Sequence, residues 1–291
     1  MNIPMMSTIE LGLVYSLVAM GVYLTFRVIQ FPDLTVDGSF TLGAAIAATL
    51  LTQDVNPVLA TGLACLGGAS AGAVTACLHR HLRIMGLLAS ILTMTALYSV
   101  NLRVMGKPNI SLFNITTLFS YSISELLLIT CLIVVIFFLL MYFLLSEYGL
   151  SLRAAGINPT ISRSYGVNLN RITLTTLALS NGLVALAGAL FAQSQGFADI
   201  SLGNGTIIIG LASVMTGEAL LNPSKIYVGL LACIVGSILY RFVIALALNS
   251  PSLGLQASDL NFITAALVAF ALMTPRLRAA LMQSLRGKQY D

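Results

Sequence analysis

Charge is what this sequence of 291 residues has least of: 8% of them are Asp, Glu, Lys or Arg, where soluble domains carry about 25%. That excludes a solvated globular surface. Its 4 cysteines (Cys65, Cys77, Cys131 and Cys233) all fall in apolar runs. Their spacing matches no metal-ligand pattern, so they read as small packing residues. The 2 histidines, His79 and His81, lie together in a basic loop without a partner at ligand spacing. No metal site is expected. No G-x-x-x-x-G-K-[ST] stretch occurs, so nothing points to ATP hydrolysis by this chain. The opening MNIPMMSTIE lacks Lys and Arg, which favours a retained first span over a cleaved leader. An intramembrane enzyme needs a catalytic constellation in its spans. No histidine lies there, and Asp33/Asp37 is the one close pair of acids.

What is abundant is apolar: 58% hydrophobic residues and a mean hydropathy of +0.95. Runs near 20 residues, long enough to cross a bilayer, recur along the chain. The pattern predicts nine apolar segments at about 7–29, 38–53, 56–78, 84–104, 123–145, 173–195, 206–220, 226–248 and 258–274. The fold expected is an all-α polytopic helical bundle of about 8–10 spans, a single domain over 1–291. The second and seventh segments are short and predict half-helices joined to irregular backbone.

A net charge of +4 marks topology here rather than nucleic-acid contact. Lys and Arg gather in 79–83, in 146–172 and in the tail 275–291. Placing these inside the cell leaves Arg103, Lys107 and Arg241 at the outer side, of 14 basic residues in all. The N-terminus is then outside and the C-terminus inside.

Shifted by 166 residues, the chain matches itself. SLVAMGVYLTFRVIQFPDLTV (16–36) lies on GLVALAGALFAQSQGFADISL (182–202), sharing Phe31/Phe197 and Asp33/Asp199. Both copies read as a helix, then F-x-D-[LI]-[TS]-[VL], then a restart. The charge argument gives them opposite directions, so the halves 7–145 and 173–274 form an inverted repeat with broken helices. Such repeats are a transporter signature, and broken helices lie along solute paths. The candidate pathway residues are Asp33, Thr35, Asp37, Asn181, Asp199 and Ser201. Intramembrane acids are functional candidates, and Asp is also a common cap of a restarted helix. Asn181 either binds a neighbouring helix or faces the channel. Glu218 is expected to pair with Lys225 or with the segment 146–172. GGASAG (67–72) offers small residues for close packing, with a second copy of the chain as one candidate partner.

The polar insert SEYGLSLRAAGINPTISRSYGVNLNR (146–171) places Leu150, Ala154, Ile157, Ile161 and Tyr165 at helical spacing. Asn158-Pro159 reads as an N-cap and first helical position. Two short helices, 149–156 and 159–165, are predicted, with Gly166 ending the second. The residues alone leave two readings: a helix pair docking on another protein, or a loop meeting anionic lipid through its arginines.

The stretch YGLSLRAAGINPTISRSYGVNLNRITLTTLALSNGLVALAGAL resembles permease subunits of ABC importers of the branched-chain amino-acid and ribose type, close to a subgroup for tryptophan, tyrosine or related solutes. Gly149, Arg153, Ala154, Asn158, Gly166, Val167, Ala187 and Gly188 occupy the family's pattern. FPDLTVDGSFTLGAAIAA resembles its broken second helix, and FITAALVAFALMTPRLR its closing helix. The resemblance implies an inner-membrane, multi-pass permease for a small polar solute such as an amino acid. It implies cytoplasmic ATPase partners that carry ATP and Mg, an extracytoplasmic solute-binding protein, and a second permease copy. It makes 146–172 a coupling segment, with Gly149, Arg153, Ala154, Ala155, Gly156, Asn158, Arg163 and Gly166 as its contact residues. The rival reading is an ion-gradient-driven secondary transporter, which also uses inverted repeats but does not need the polar helix pair.

Overall fold

The computed structural model describes residues 5–120, 124–221, 223 and 225–248. The expected ninth segment, 258–274, and the tail 275–291 lie outside them. Helix α1 (Met5–Val22) runs directly into a π-helical stretch, Tyr23–Val28. Then follow α2 (Thr35–Leu51), α3 (Pro57–His81), α4 (Gly86–Met105), strand β1 (Asn109–Ser111), a 3-10 turn (Leu118–Ser120) and α5 (Glu125–Leu145). The second half holds α6 (Glu147–Ile157), α7 (Pro159–Ser164), α8 (Leu169–Gln195), β2 (Phe197–Asp199), α9 (Thr206–Leu221) and α10 (Ile226–Leu248). The ends carry ordinary stop and start chemistry. Asn56 Oδ1 accepts from Val58 N–H at 2.9 Å ahead of Pro57, while Gly106 and Gly196 close α4 and α8 with left-handed backbone.

Six described helices are long and apolar enough to cross a membrane: Met5–Val28, Pro57–His81, Gly86–Met105, Glu125–Leu145, Leu169–Gln195 and Ile226–Ala247. Helices α2 and α9 are shorter, as the half-helix expectation has it. The small strand pair was not expected. Asn109 faces Asp199 and Ser111 faces Phe197, in antiparallel register. These triplets fall outside the long apolar runs, and three residues are too few to show a strand period.

Two helices organise the bundle. α8 packs against α2 and α3, α1 packs against α9 and α10, and α1 and α8 touch each other. Under the 166-residue shift, α1 corresponds to α8, α2 to α9 and α3 to α10. Each lead helix thus carries the short and long followers of the other half. α1 and α8 are largely enclosed, whereas α5 is mostly exposed along its apolar surface.

Small residues set the close approach. A Cβ on Gly72 would overlap the Leu177 carbonyl, and one on Gly68 the Asn181 carbonyl, so α3 lies backbone-to-backbone on α8. The GGASAG stretch therefore spends Gly68 and Gly72 inside the chain. The Glu218 expectation is corrected. Its carboxylate accepts from Arg27 Nε at 2.9 Å, because the far end of α1 lies beside the end of α9. Arg241 lies with its guanidinium 4.0 Å from the centre of the Tyr15 ring.

Candidate functional site

The chain leaves α1 through a π-helical stretch and turns at Gln30, whose φ of 54° is left-handed. The Phe31 N–H reaches back to the Thr25 carbonyl at 2.8 Å. Phe31 then packs with Ala76 of α3 and Leu177 of α8. Two residues on, Asp33 is fully buried. Burying a carboxylate without partners is costly, and here the partners are present. One Asp33 oxygen accepts from Thr35 N–H at 2.9 Å, the other from Asn181 Nδ2 at 2.7 Å. Asn181 Oδ1 accepts from Ser39 Oγ at 2.7 Å, and the Thr35 and Thr75 hydroxyls meet at 2.8 Å. From α4, Asn101 Nδ2 donates to the Gly38 carbonyl at 3.2 Å. The break, α2, α3, α4 and α8 are thereby tied at one point.

The Asp33–Thr35 bond also explains where α2 starts. The carboxylate satisfies the amide of the first helical residue, so the helix opens at Thr35, three residues before the segment expected from hydropathy.

Asp37 does something the sequence did not reveal. It sits in the first turn of α2 but caps a different helix. Its oxygens accept from Ile207 N–H at 2.8 Å and Gly205 N–H at 3.1 Å. Thr41 Oγ1 accepts from Gly203 N–H at 2.9 Å. A Cβ on Gly203 would overlap the Asp37 carbonyl, so only glycine permits this approach. The N-termini of α2 and α9 therefore converge on one carboxylate, where both helix dipoles favour negative charge.

Asp199 and Ser201 are placed elsewhere. Asp199 Oδ1 accepts from Ser201 N–H at 2.8 Å, the same turn that Asp33 makes with Thr35. Its other oxygen accepts from Asn109 Nδ2 at 3.2 Å. Asp199 lies half-buried on the strand pair at the end of α8, with Ser201 exposed beside it. The Ser201 hydroxyl, then the Ser201 amide and Asn109, hold the Asp199 carboxyl below its ordinary pKa. Of the expected pathway set, Asp33, Thr35 and Asn181 are joined in one network, Asp37 binds α9 instead, and Asp199 and Ser201 lie apart on the strand pair. Ser39, Thr41, Thr75 and Gly203 were missed. Thr35 and Ser39 are one helical turn apart, which is the one signal that pointed to them.

The other feature is the helix pair α6–α7. Ser146 Oγ caps α6 by accepting from Gly149 N–H at 3.2 Å, and Asn158 Oδ1 caps α7 from Ile161 N–H at 3.1 Å. Gly166, with φ at 82°, follows α7. The pair presents two faces. Leu152, Ala155 and Gly156 are buried, and a Cβ on Gly156 would overlap the Val28 carbonyl at the foot of α1. Gly149 is pressed against Leu144 of α5. Ala154, Asn158, Arg163 and Gly166 are exposed and Arg153 half-buried. The residues expected to form one apolar face do so, and all of it is open: Leu150, Ala154, Ile157, Ile161 and Tyr165 are exposed, Ile157 at 82% and Tyr165 at 85%. Of the central Ala154-Ala155-Gly156, the last two turn inward. Among the described residues, no group of three or more His, Cys, Asp and Glu side chains is placed to hold a metal ion.

Residues 5–275 match the family model described as branched-chain amino acid transport system / permease component. A tyrosine transport system permease protein of Clostridioides difficile (strain R20291) is 40% identical over 278 residues, covering 96% of this chain and 93% of the relative. A Rickettsia prowazekii protein of unassigned role is 32% identical over 269 residues, covering 90% and 94%. The ribose import permease of Escherichia coli (strain K12) is 26% identical over 200 residues, covering 66% and 62%. No solved structure matches. The chain is a multi-pass inner-membrane protein with a transport role and not a catalytic one. It belongs to the permease-component family of branched-chain amino acid transport systems, the membrane subunits of ABC importers.

Proposed function

We propose that this permease moves an amino acid or related small polar solute inward by alternating access, and that α6 and α7 receive the drive from a separate cytoplasmic ATPase carrying ATP and Mg. The observation that carries the reading is the two-faced helix pair. Its apolar outer face is bare in the single chain, while its inner face is fixed to α1 through Gly156 and to α5 through Gly149. A push on Ile157, Ile161 and Tyr165 is therefore transmitted directly to the foot of α1, next to the break that leads to Asp33. Exposed aromatic and aliphatic anchors of this kind are the usual centre of a protein interface. Arg153 supplies charge for a carboxylate on the partner.

In this reading the α6–α7 end is cytoplasmic, with the N-terminus outside. The β1–β2 end faces the solute-binding protein. Asp33, Thr35, Asp37 and Asn181 form the wall of the pathway by fixing the half-helix ends, and Asp199 and Ser201 stand at its outer rim. A second copy of the chain completes the pore. The C. difficile relative, named for tyrosine, supports an amino acid as the solute class.

The test is purification from the native host in mild detergent, comparing the native chain with Ile157→Glu/Ile161→Glu. An ATPase that accompanies the native chain and is lost with the variant is the expected result. If no ATPase accompanies the native chain and uptake follows a proton or sodium gradient, the coupling reading fails.

A further inference from the structure

We infer that the cleft between the α3–α4 turn and α7 is a binding site for a phosphate-ester anion, occupied by the headgroup of an anionic phospholipid. A pocket of about 240 Å³ opens between α3, α6, α7 and the start of α8, with Ile29, Ala76, Ala155 and Ile172 in its apolar part. It adjoins a wider one of about 710 Å³ lined by His79, Arg80, His81, Arg83, Arg163 and Asn170. Five of those six side chains are basic or can become so, and none is acidic.

Among the described residues, no carboxylate lies within 4.0 Å of Arg80, Arg83 or Arg163, for the one ion pair there is Arg27 with Glu218. Three guanidinium groups from two separate elements therefore face a shared space without a counterion. Arg83 is held there by left-handed backbone, φ 54°, which disfavours a residue with a Cβ. His79 Nδ1 lies 2.7 Å from the Ile84 carbonyl. A carbonyl can only accept, so Nδ1 carries the proton of that bond, and the histidine braces the turn that bears Arg83.

The surroundings identify the source of the anion. The turn joins two helices long enough to cross the membrane, and the residues around it are apolar and bare. Met85 is 74% exposed and Leu82 61%, with Leu87 and Leu88 also exposed. Apolar side chains in the acyl region beside arginines at its edge place the cleft at headgroup depth, where basic clusters select anionic lipid. His79, Arg80 and Arg163 line the smaller pocket as well, so apolar and basic side chains share one cleft, as the junction of acyl chain and headgroup in a phospholipid requires.

The consequence is mechanical. A phosphate bridging Arg163 on α7 to Arg80 at the end of α3 and Arg83 in the turn after it staples the helix pair to the bundle beside the Phe31–His79 edge contact, whose ring centres lie 5.3 Å apart.

The experiment is native mass spectrometry of the full chain with an equal mixture of phosphatidylglycerol and phosphatidylcholine, repeated with added inorganic phosphate. The native chain is expected to retain phosphatidylglycerol preferentially. Arg80→Gln, Arg83→Gln and Arg163→Gln should each weaken that retention by roughly fivefold, at about one charge's worth of lipid attraction apiece. Arg83→Lys, which keeps the charge, and Arg103→Gln, in the last turn of α4, should not. Equal retention of the two lipids, or an equal loss with Arg103→Gln, overturns the site. Displacement of the lipid by equimolar inorganic phosphate overturns the headgroup as the source. If the three variants keep their lipid but lose a co-purifying ATPase, the cleft is a protein-docking surface and the inference fails.

Discussion

One short motif has two outcomes in this molecule. Asp33 and Asp199 close the same turn onto the amide two residues ahead, yet one is fully buried and the other lies half-buried on the strand pair. The Phe-x-Asp repeat was legible because it disturbs two otherwise apolar runs. Its partners Ser39 and Thr75 were not, since a lone hydroxyl in an apolar helix is chemically ordinary. Isosteric change separates their roles. In Asp33→Asn, Asn181 can turn its amide over, presenting oxygen to the new amide and nitrogen to Ser39 Oγ, at the loss of its 3.0 Å bond to the Leu177 carbonyl. Thermal unfolding in detergent should then lie within about 1 kcal/mol of native. Asp33→Ala strands two buried donors and should cost about 2–4 kcal/mol. Asn181→Asp places two carboxylates together and should be the worst of the three.

Asp199 makes the pH prediction. A folded-state pKa held below the ordinary one stabilises the turn at every pH above the usual carboxylate value, and the gain is lost as pH falls through the depressed value. The Ser201 amide should therefore exchange faster in acid, below about pH 4, when followed by hydrogen exchange. Asp199→Asn should remove that dependence.

At the scale of elements, helix existence was readable in the described chain because the apolar runs stand apart from short polar stretches, several of them marked by Asn, Pro or Gly as at Asn56-Pro57, Gly106 and Gly196. The caps Asn56, Ser146 and Asn158 sit where their residue types favour them. Starts within the bundle were less so, since the opening of α2 depends on a tertiary carboxylate network. The cap of α9 is carried by α2, 168 to 170 residues away in sequence, and no local pattern records it. Backbone contact is the other hidden element property: GGASAG shows small residues but not which helix they meet. Gly72→Leu should push α3 off the Leu177 carbonyl and lower stability by about 1–3 kcal/mol. The exposed Gly62, around which a Cβ meets nothing, should accept the same change at little cost when both variants are melted side by side.

For the whole molecule, the exchange of partners between the two halves is the organising fact. α1 carries α9 and α10, and α8 carries α2 and α3, so neither half forms a bundle by itself. The sequence shift foretold which helices correspond, whereas their crossing is a property of packing. α8 alone, with 27 residues, separates the α6–α7 end from the strand pair by about 40 Å, a full membrane thickness. In a background free of the four native cysteines, Ser111→Cys should react with an impermeant maleimide added outside intact cells. Ser164→Cys should react only after the membrane is opened. The reverse pattern would invert the topology.

Asp37 links these scales. Its two oxygens belong to the first half and the amides of Gly205 and Ile207 to the second, in a half-buried place between the two helix ends. A slip between α2 and α9 would strand a carboxylate and two amides together, so those two short helices behave as a single rigid strut shared by both halves. Rocking that opens one side and closes the other must then bend outside that strut, and the π-helical foot of α1, tied to α9 by the solvent-side Arg27–Glu218 pair, is where the backbone already departs from α-helical geometry. The permease resembles a seesaw whose pivot is glued and whose give is in the plank.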